Sequence, residues 1–214
     1  MKNLSLIIAL VSVFSFGANA QSLSIGVRGG LNLTTSMNED TDDNKYAIGM
    51  NFALPVEIGV TDFFSVQPEL HYIQKGVKFE LTDDLSIQSL TNYVELPVLA
   101  KVKFGTETVK GYAVAGPSVG LAFSRFVTTK DGDDKERVKA ERDEEGNETD
   151  NIFDFGLVGG IGAEISAGPG AFVIDARYNF DLNDNTSFEN DAPDSWNKTT
   201  NTGIGITVGY VFKF

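Results

Sequence analysis

The chain closes on Gly203-Ile204-Gly205-Ile206-Thr207-Val208-Gly209-Tyr210-Val211-Phe212-Lys213-Phe214. Every even position of this stretch is apolar, and the odd positions are mostly small or polar. A period of two marks a strand with one apolar face. Chain ends tend to fray, so so apolar a strand needs a partner there. Pairing it with the first strand would close the sheet and remove both edges. Taken alone, the segment also suits the last strand of a β-sandwich, because alternation is common to half-buried sheets.

The same period recurs upstream. Residues Leu23–Leu33 place Leu23, Ile25, Val27, Leu31 and Leu33 opposite Ser24, Gly26, Arg28, Gly30 and Asn32. In Tyr46–Val60, seven apolar residues from Ile48 to Val60 share one face. That run exceeds the ~5–6 residues of a typical soluble strand and suits a tilted membrane strand of ~9–11 residues with an extension. Further strands are expected at Phe63–Phe79, Leu90–Phe104, Gly111–Val127, Asn151–Ile165 and Ala171–Leu182. In the third the apolar set changes phase near Gly76, which predicts a β-bulge there. In the fifth the phase is ambiguous around Gly116-Pro117-Ser118.

Residues 1–20 read as a secretory signal peptide and 21–214 as one domain. Lys2 gives a positive start, Leu4–Phe16 an apolar run, and Ala18-Asn19-Ala20 a cleavage site before Gln21. The run is shorter than the ~20 residues of a helical span. The absence of cysteine rules out a disulfide scaffold and any thiolate site.

The formal net charge is −13, and −14 without Lys2. Segments 34–45, 80–89, 128–150 and 183–201 carry −3, −3, −5 and −3, which accounts for all of it. These segments are expected to be loops, with 128–150 solvated and mobile. An acidic balance argues against nucleic acid as a partner. The connections alternate, long after odd strands and short after even ones. An eight-stranded antiparallel up-and-down barrel would put every long loop on one rim, the asymmetry of a transmembrane β-barrel.

The polar face holds Arg28, Glu57, Glu69, His71, Lys75, Glu95, Lys101, Lys103, Asp154, Glu164, Asp175, Arg177 and Lys213. An eight-stranded barrel has an interior that side chains fill, so these groups are expected to pair as a structural charge network in the lumen. The inverse arrangement, a soluble lipocalin-like barrel, would crowd Phe, Tyr, Leu and Ile from every strand into one narrow cavity.

Several motifs occur in order: Gly26-Val27-Arg28-Gly29-Gly30-Leu31-Asn32, Phe64-Ser65-Val66-Gln67-Pro68-Glu69-Leu70 with Gln74-Lys75-Gly76, Tyr93-Val94-Glu95-Leu96-Pro97, Ala115-Gly116-Pro117, and the terminal Phe214. With these the chain from Gln21 to Phe214 resembles the outer-membrane β-barrel (porin-like) family of Gram-negative bacteria. The resemblance implies an outer-membrane location and an eight-stranded barrel. It also implies that Tyr210, Phe212 and Phe214 act as the signal read by the barrel-assembly machinery. It assigns no particular activity.

No catalytic, cofactor or metal residues are expected. His71 is the only histidine and reads as a lumen residue rather than a general base. Asp181-Leu182-Asn183-Asp184-Asn185 begins like a calcium loop, but Thr186 stands where Gly is required and Ala192 where Glu is required. Asp131-Gly132-Asp133-Asp134 is a weaker match. Trp196 is expected to anchor at the membrane interface, and Phe104, Phe153, Tyr178, Tyr210 and Phe214 to join the aromatic girdles. The functional reading is a non-enzymatic structural or interaction protein, with outer-membrane lipid and an unknown protein or surface ligand as partners through the acidic loops. The alternatives are a narrow small-solute channel, an accessory barrel of a protein-secretion apparatus, and the soluble lipocalin-like binder.

Overall fold

The structure, a computed structural model, describes residues 22–37, 44–82, 85–132, 134–140, 153–182 and 200–214. The signal-peptide segment, Trp196, and the calcium-like loop beyond Leu182 lie outside them. The described residues form nine strands: β1 Ser22–Met37, β2 Asn44–Gly59, β3 Phe64–Glu80, β4 Leu85–Gly105, β5 Val109–Asp131, β6 Asp134–Ala140, β7 Phe153–Ala167, β8 Gly170–Asp181 and β9 Thr200–Lys213. All pairings are antiparallel, and eight of the strands close into a barrel. The seam joins β1 to β9 from Ser24↔Lys213 to Met37↔Thr200, so the chain's last strand pairs with its first and neither keeps an edge.

Polarity is reversed relative to a water-soluble protein. Arg28, Glu69, Asp175 and Arg177 are buried inside, while Val27, Phe52, Phe155, Ile161, Phe172, Ile174 and Val208 are each more than half exposed outside. So large a continuous apolar exterior is stable only in a hydrocarbon solvent, where every backbone group must also be satisfied internally; a closed barrel meets that demand. No described helix is long and apolar enough to cross a membrane, so any crossing is made by strands.

The phase of β5 is set away from Gly116-Pro117-Ser118. Tyr112 and Val114 point inward and Val119, Leu121 and Phe123 outward. The register against β4 shifts between Asn92↔Ser124 and Tyr93↔Ala122, which makes Phe123 the extra residue of a bulge.

The change near Gly76 has a different cause from a bulge in β3. The β3–β4 register is unbroken from Phe64↔Val102 to Glu80↔Ser86. Lys75 stays on the lumen side with Thr91 and Arg125, its partners across β4 and β5. Val77 and Phe79 therefore also lie on the inner side, and it is the environment that inverts as the sheet leaves the apolar belt. The irregularity belongs to the β2–β3 pairing, which shifts between Tyr46↔Val77 and Asn51↔Ile73, with the additional residue on β2.

Side chains replace the interrupted ladder at that shift. The Thr34 hydroxyl accepts from the Gly76 N–H and donates to the Gly76 carbonyl, both at 2.9 Å. Asn32 Nδ2 donates to the Gln74 carbonyl at 3.1 Å, and the Met50 N–H donates to Gln74 Oε1 at 3.0 Å. Backbone groups at such depth need partners. Thr34→Val leaves two of them without one, at a cost of about 1–3 kcal/mol. The expected result is faster amide exchange at Gly76 with the β3–β4 amides unaffected; equal exchange in both proteins would refute it.

Two segments expected as loops contain paired strand. Within 80–89, β4 starts at Leu85 and pairs with β3 beyond a short turn. Within 128–150, β5 continues to Asp131 and β6 returns along it from Asp131↔Asp134 to Arg125↔Ala140. Residues 141–152 are outside the described set. On the opposite rim the connections are short, at 60–63, 106–108 and 168–169, with Gly168 at φ +57°, a backbone state that favours glycine.

Candidate functional site

The lumen holds three tiers of charge. The middle tier is built from β1, β3 and β8. Arg177 grips Glu69 through two bonds, Nη1 to Oε2 at 2.7 Å and Nη2 to Oε1 at 3.0 Å. Arg28 Nη2 donates to Glu69 Oε2 at 2.6 Å, and its Nη1 pairs with Asp175. Arg177 also reaches Asp175 at 3.1 Å. Two guanidinium groups thus neutralise two carboxylates, with geometry only arginine's planar fork provides. The Tyr112 hydroxyl donates to Asp175 at 2.9 Å and Thr207 Oγ1 donates at 2.8 Å. Gln67 and His71 complete the shell around Glu69.

Glycine makes this tier feasible. A Cβ on Gly162 would lie 2.3 Å from the Tyr112 ring and 2.7 Å from Asp175 Cβ, so the bare backbone leaves room for the tyrosine to lie across the lumen.

The tier nearer the chain ends and short turns joins Glu57 and Glu164 to three ammonium groups. Lys101 bridges Glu57 at 2.9 Å and Glu164 at 2.5 Å, Lys103 pairs with Glu57, and Lys213 lies 3.5 Å from Glu164. Ser65 donates to Glu57 at 2.8 Å, and Lys101 sits 4.1 Å from the centroid of the Tyr112 ring. The tier toward the long connections is the reverse. Lys75 gathers three carboxylates, Glu95 at 2.6 Å, Asp154 at 2.8 Å and Asp181 at 2.6 Å, beneath the Tyr93 ring. Lumen charge is therefore graded, cation-rich at one end, balanced in the middle and carboxylate-rich at the other.

All thirteen polar-face residues picked out by the sequence are engaged in these contacts. His71 is at the rim of the Glu69 cluster, 5% exposed, and pairs with Glu69. Among the described residues no group of His, Cys, Asp or Glu suits a metal ion. Sequence reading missed Asp181, Tyr112 and Tyr93 as members. Asp181 stands in phase with Asp175 and Arg177 along β8, which was a usable signal; Tyr112 had none, because the phase of β5 was unset. It also missed a polar chain on the outer side: Gln74 Nε2 donates to Asn92 Oδ1 at 2.9 Å, Tyr72 donates to the same oxygen at 3.1 Å, and Asn92 Nδ2 donates to Ser124 at 2.6 Å.

At the closing strand, Tyr210 donates to the Ala167 carbonyl at 2.6 Å and packs edge-on against Phe172 and Phe212. Phe212 and Phe214 face outward, as do Phe104, Phe153 and Tyr178.

Solved structures similar to this chain include Ail of Yersinia pestis, in complex with the heparin analogue sucrose octasulfate, at 16% identity over 90% of this chain and 100% of that one, TM-score 0.45. Neisserial surface protein A is similar at 14% identity, covering 89% and 97%, TM-score 0.46. OprG of Pseudomonas aeruginosa is similar at 13% identity, covering 92% and 98%, TM-score 0.46. No curated protein matches the sequence. The family model for the outer membrane protein beta-barrel domain matches residues 19–187. A reversed-polarity barrel with an ion-paired interior and a match over most of its length places this chain in the outer membrane protein β-barrel domain family, in the outer membrane.

Proposed function

We propose that the protein is a non-enzymatic structural or interaction component of the outer membrane, a sealed barrel that presents its outer segments to a surface partner. The observation that carries this reading is the filled lumen: Arg28, Glu69, Lys75, Glu95, Lys101, Asp154, Glu164, Asp175 and Arg177 are each no more than 3% exposed, so side chains occupy the cross-section at every tier. Eight strands leave room for side chains and not for an aqueous pore. Residues 1–20 serve as the export signal, and Tyr210, Phe212 and Phe214 as the assembly signal.

The test is conductance of the purified protein in planar bilayers, after carbonate-resistant membrane retention and a boiling-dependent gel shift establish insertion. A sealed barrel gives no stable current steps. Reproducible steps that change when Arg177 is replaced would favour the narrow-channel alternative. Release by carbonate as a soluble monomer would favour the lipocalin-like one.

A further inference from the structure

Beyond the apolar belt, β2 to β6 continue as one sheet, and its register sorts charge by face. Eleven residues of β4, Val94–Phe104, already match the ~9–11 needed to span a bilayer at a tilt, so Leu85–Asn92 stand past it. Directly paired residues of antiparallel strands share a face. Three rows follow on the outer face. The lowest is Gly76, Leu90, Phe126 and Lys139. Above it run Lys45, Lys78, Gln88, Thr128 and Arg137. The last is Glu80, Ser86, Lys130 and Lys135.

Among the described residues of these rows, six cations share the face with one carboxylate, Glu80, which Lys78 holds at 2.7 Å. The hydrogen bond from the Lys78 ammonium keeps the Glu80 carboxyl below its ordinary range. Among the described residues of the hairpin, the acidic Asp131, Asp134 and Glu136 fall on the inner face. Arg137 lies 4.4 Å from the centroid of the Phe126 ring, which ties the basic rows to the apolar one beneath. Lys135, Arg137 and Lys139 are all exposed. In a chain of net charge −13 this segregation is not a consequence of composition.

We propose that this basic face binds the phosphate groups of the outer-leaflet lipid. The occupant follows from continuity. The same strands, on the same side, carry the lipid-facing belt of Leu96, Val94, Leu121 and Phe123, and the next layer a lipid offers above its hydrocarbon is its headgroup. Lysine and arginine near an anionic headgroup layer add to membrane affinity one by one.

The test reconstitutes the full chain in phosphatidylcholine bilayers with and without phosphatidic acid and reads, by native mass spectrometry, which lipids remain bound after extraction. The wild type enriches phosphatidic acid over the bulk ratio. The variant Lys130→Gln, Lys135→Gln, Arg137→Gln, Lys139→Gln loses that enrichment, with apparent affinity reduced about ten-fold or more. The inner-face variant Asp131→Asn, Asp134→Asn, Glu136→Gln keeps it. The boiling-dependent gel shift verifies that each variant folds. If the four-site variant fails to fold, Lys135→Gln and Lys139→Gln are read singly, each with a partial loss. Unchanged enrichment in the outer-face variants overturns the proposal, as does an equal loss in the inner-face variant. Full displacement by inorganic phosphate would make the face a general phosphate site and overturn the assignment to lipid.

Discussion

Replacing Glu69 with alanine lowers the unfolding free energy of the barrel by about 3–5 kcal/mol. The carboxylate lies between Arg28 and Arg177 and also takes contacts from Gln67 and His71. Without it, Asp175 is left as the one carboxylate of the tier against two buried guanidinium groups, and those groups are 3% exposed. The cost arises from stranding charge rather than from the pair's own net contribution, which is small once desolvation is counted. Removing a cation as well therefore recovers part of the loss: Glu69→Ala with Arg177→Met is more stable than Glu69→Ala alone. Urea titration of the folded gel band in detergent measures both. Equal midpoints for wild type and Glu69→Ala would show that the middle tier does not hold the barrel together.

The second large effect is on the outer surface. Val208 is 58% exposed, and its partners Gly29 and Ile174 are the chain neighbours of Arg28 and Asp175, so it stands level with the middle tier. Val208→Arg places a charge deep in the hydrocarbon and costs about 2–4 kcal/mol. The same change at Phe153, at the start of β7, costs about 0–1 kcal/mol because the charge reaches the interface. Unfolding in lipid vesicles reads the difference. A barrel surrounded by water would tolerate both equally.

What the sequence disclosed follows from what alternation can encode. In the barrel wall one face meets lipid and the other meets charge, so the pattern from Ile48 to Val60 or from Phe172 to Leu182 assigns strand, face and phase together. The lumen residues were legible for the same reason. Their pairings were not, because Arg28 meets Asp175 only after β1, β9 and β8 have been laid side by side. The hairpin of β5 and β6 escaped because its alternation is between two kinds of polar residue. Lys135, Arg137 and Lys139 alternate with Asp134, Glu136 and Val138, and a hydropathy reading registers such a run as uniformly wet. The apparent slip at Gly76 had the related cause that a strand passing from one solvent into another keeps its geometry and changes its chemistry.

That change of chemistry gives the molecule a waterline. Along β4 the outer face passes from Val94 to Gln88, and along β5 from Phe123 to Thr128, beside Lys78 and Arg137. One further pleat of two residues is roughly 7 Å of strand. Sinking the barrel by that distance drags cations toward hydrocarbon, and raising it strips Val94 and Phe123 of lipid. Both displacements are opposed, so the bilayer must thin or thicken to fit the protein rather than the protein shifting to fit the bilayer. Immersion depth is thus written in the side chains and does not vary with the membrane that receives them.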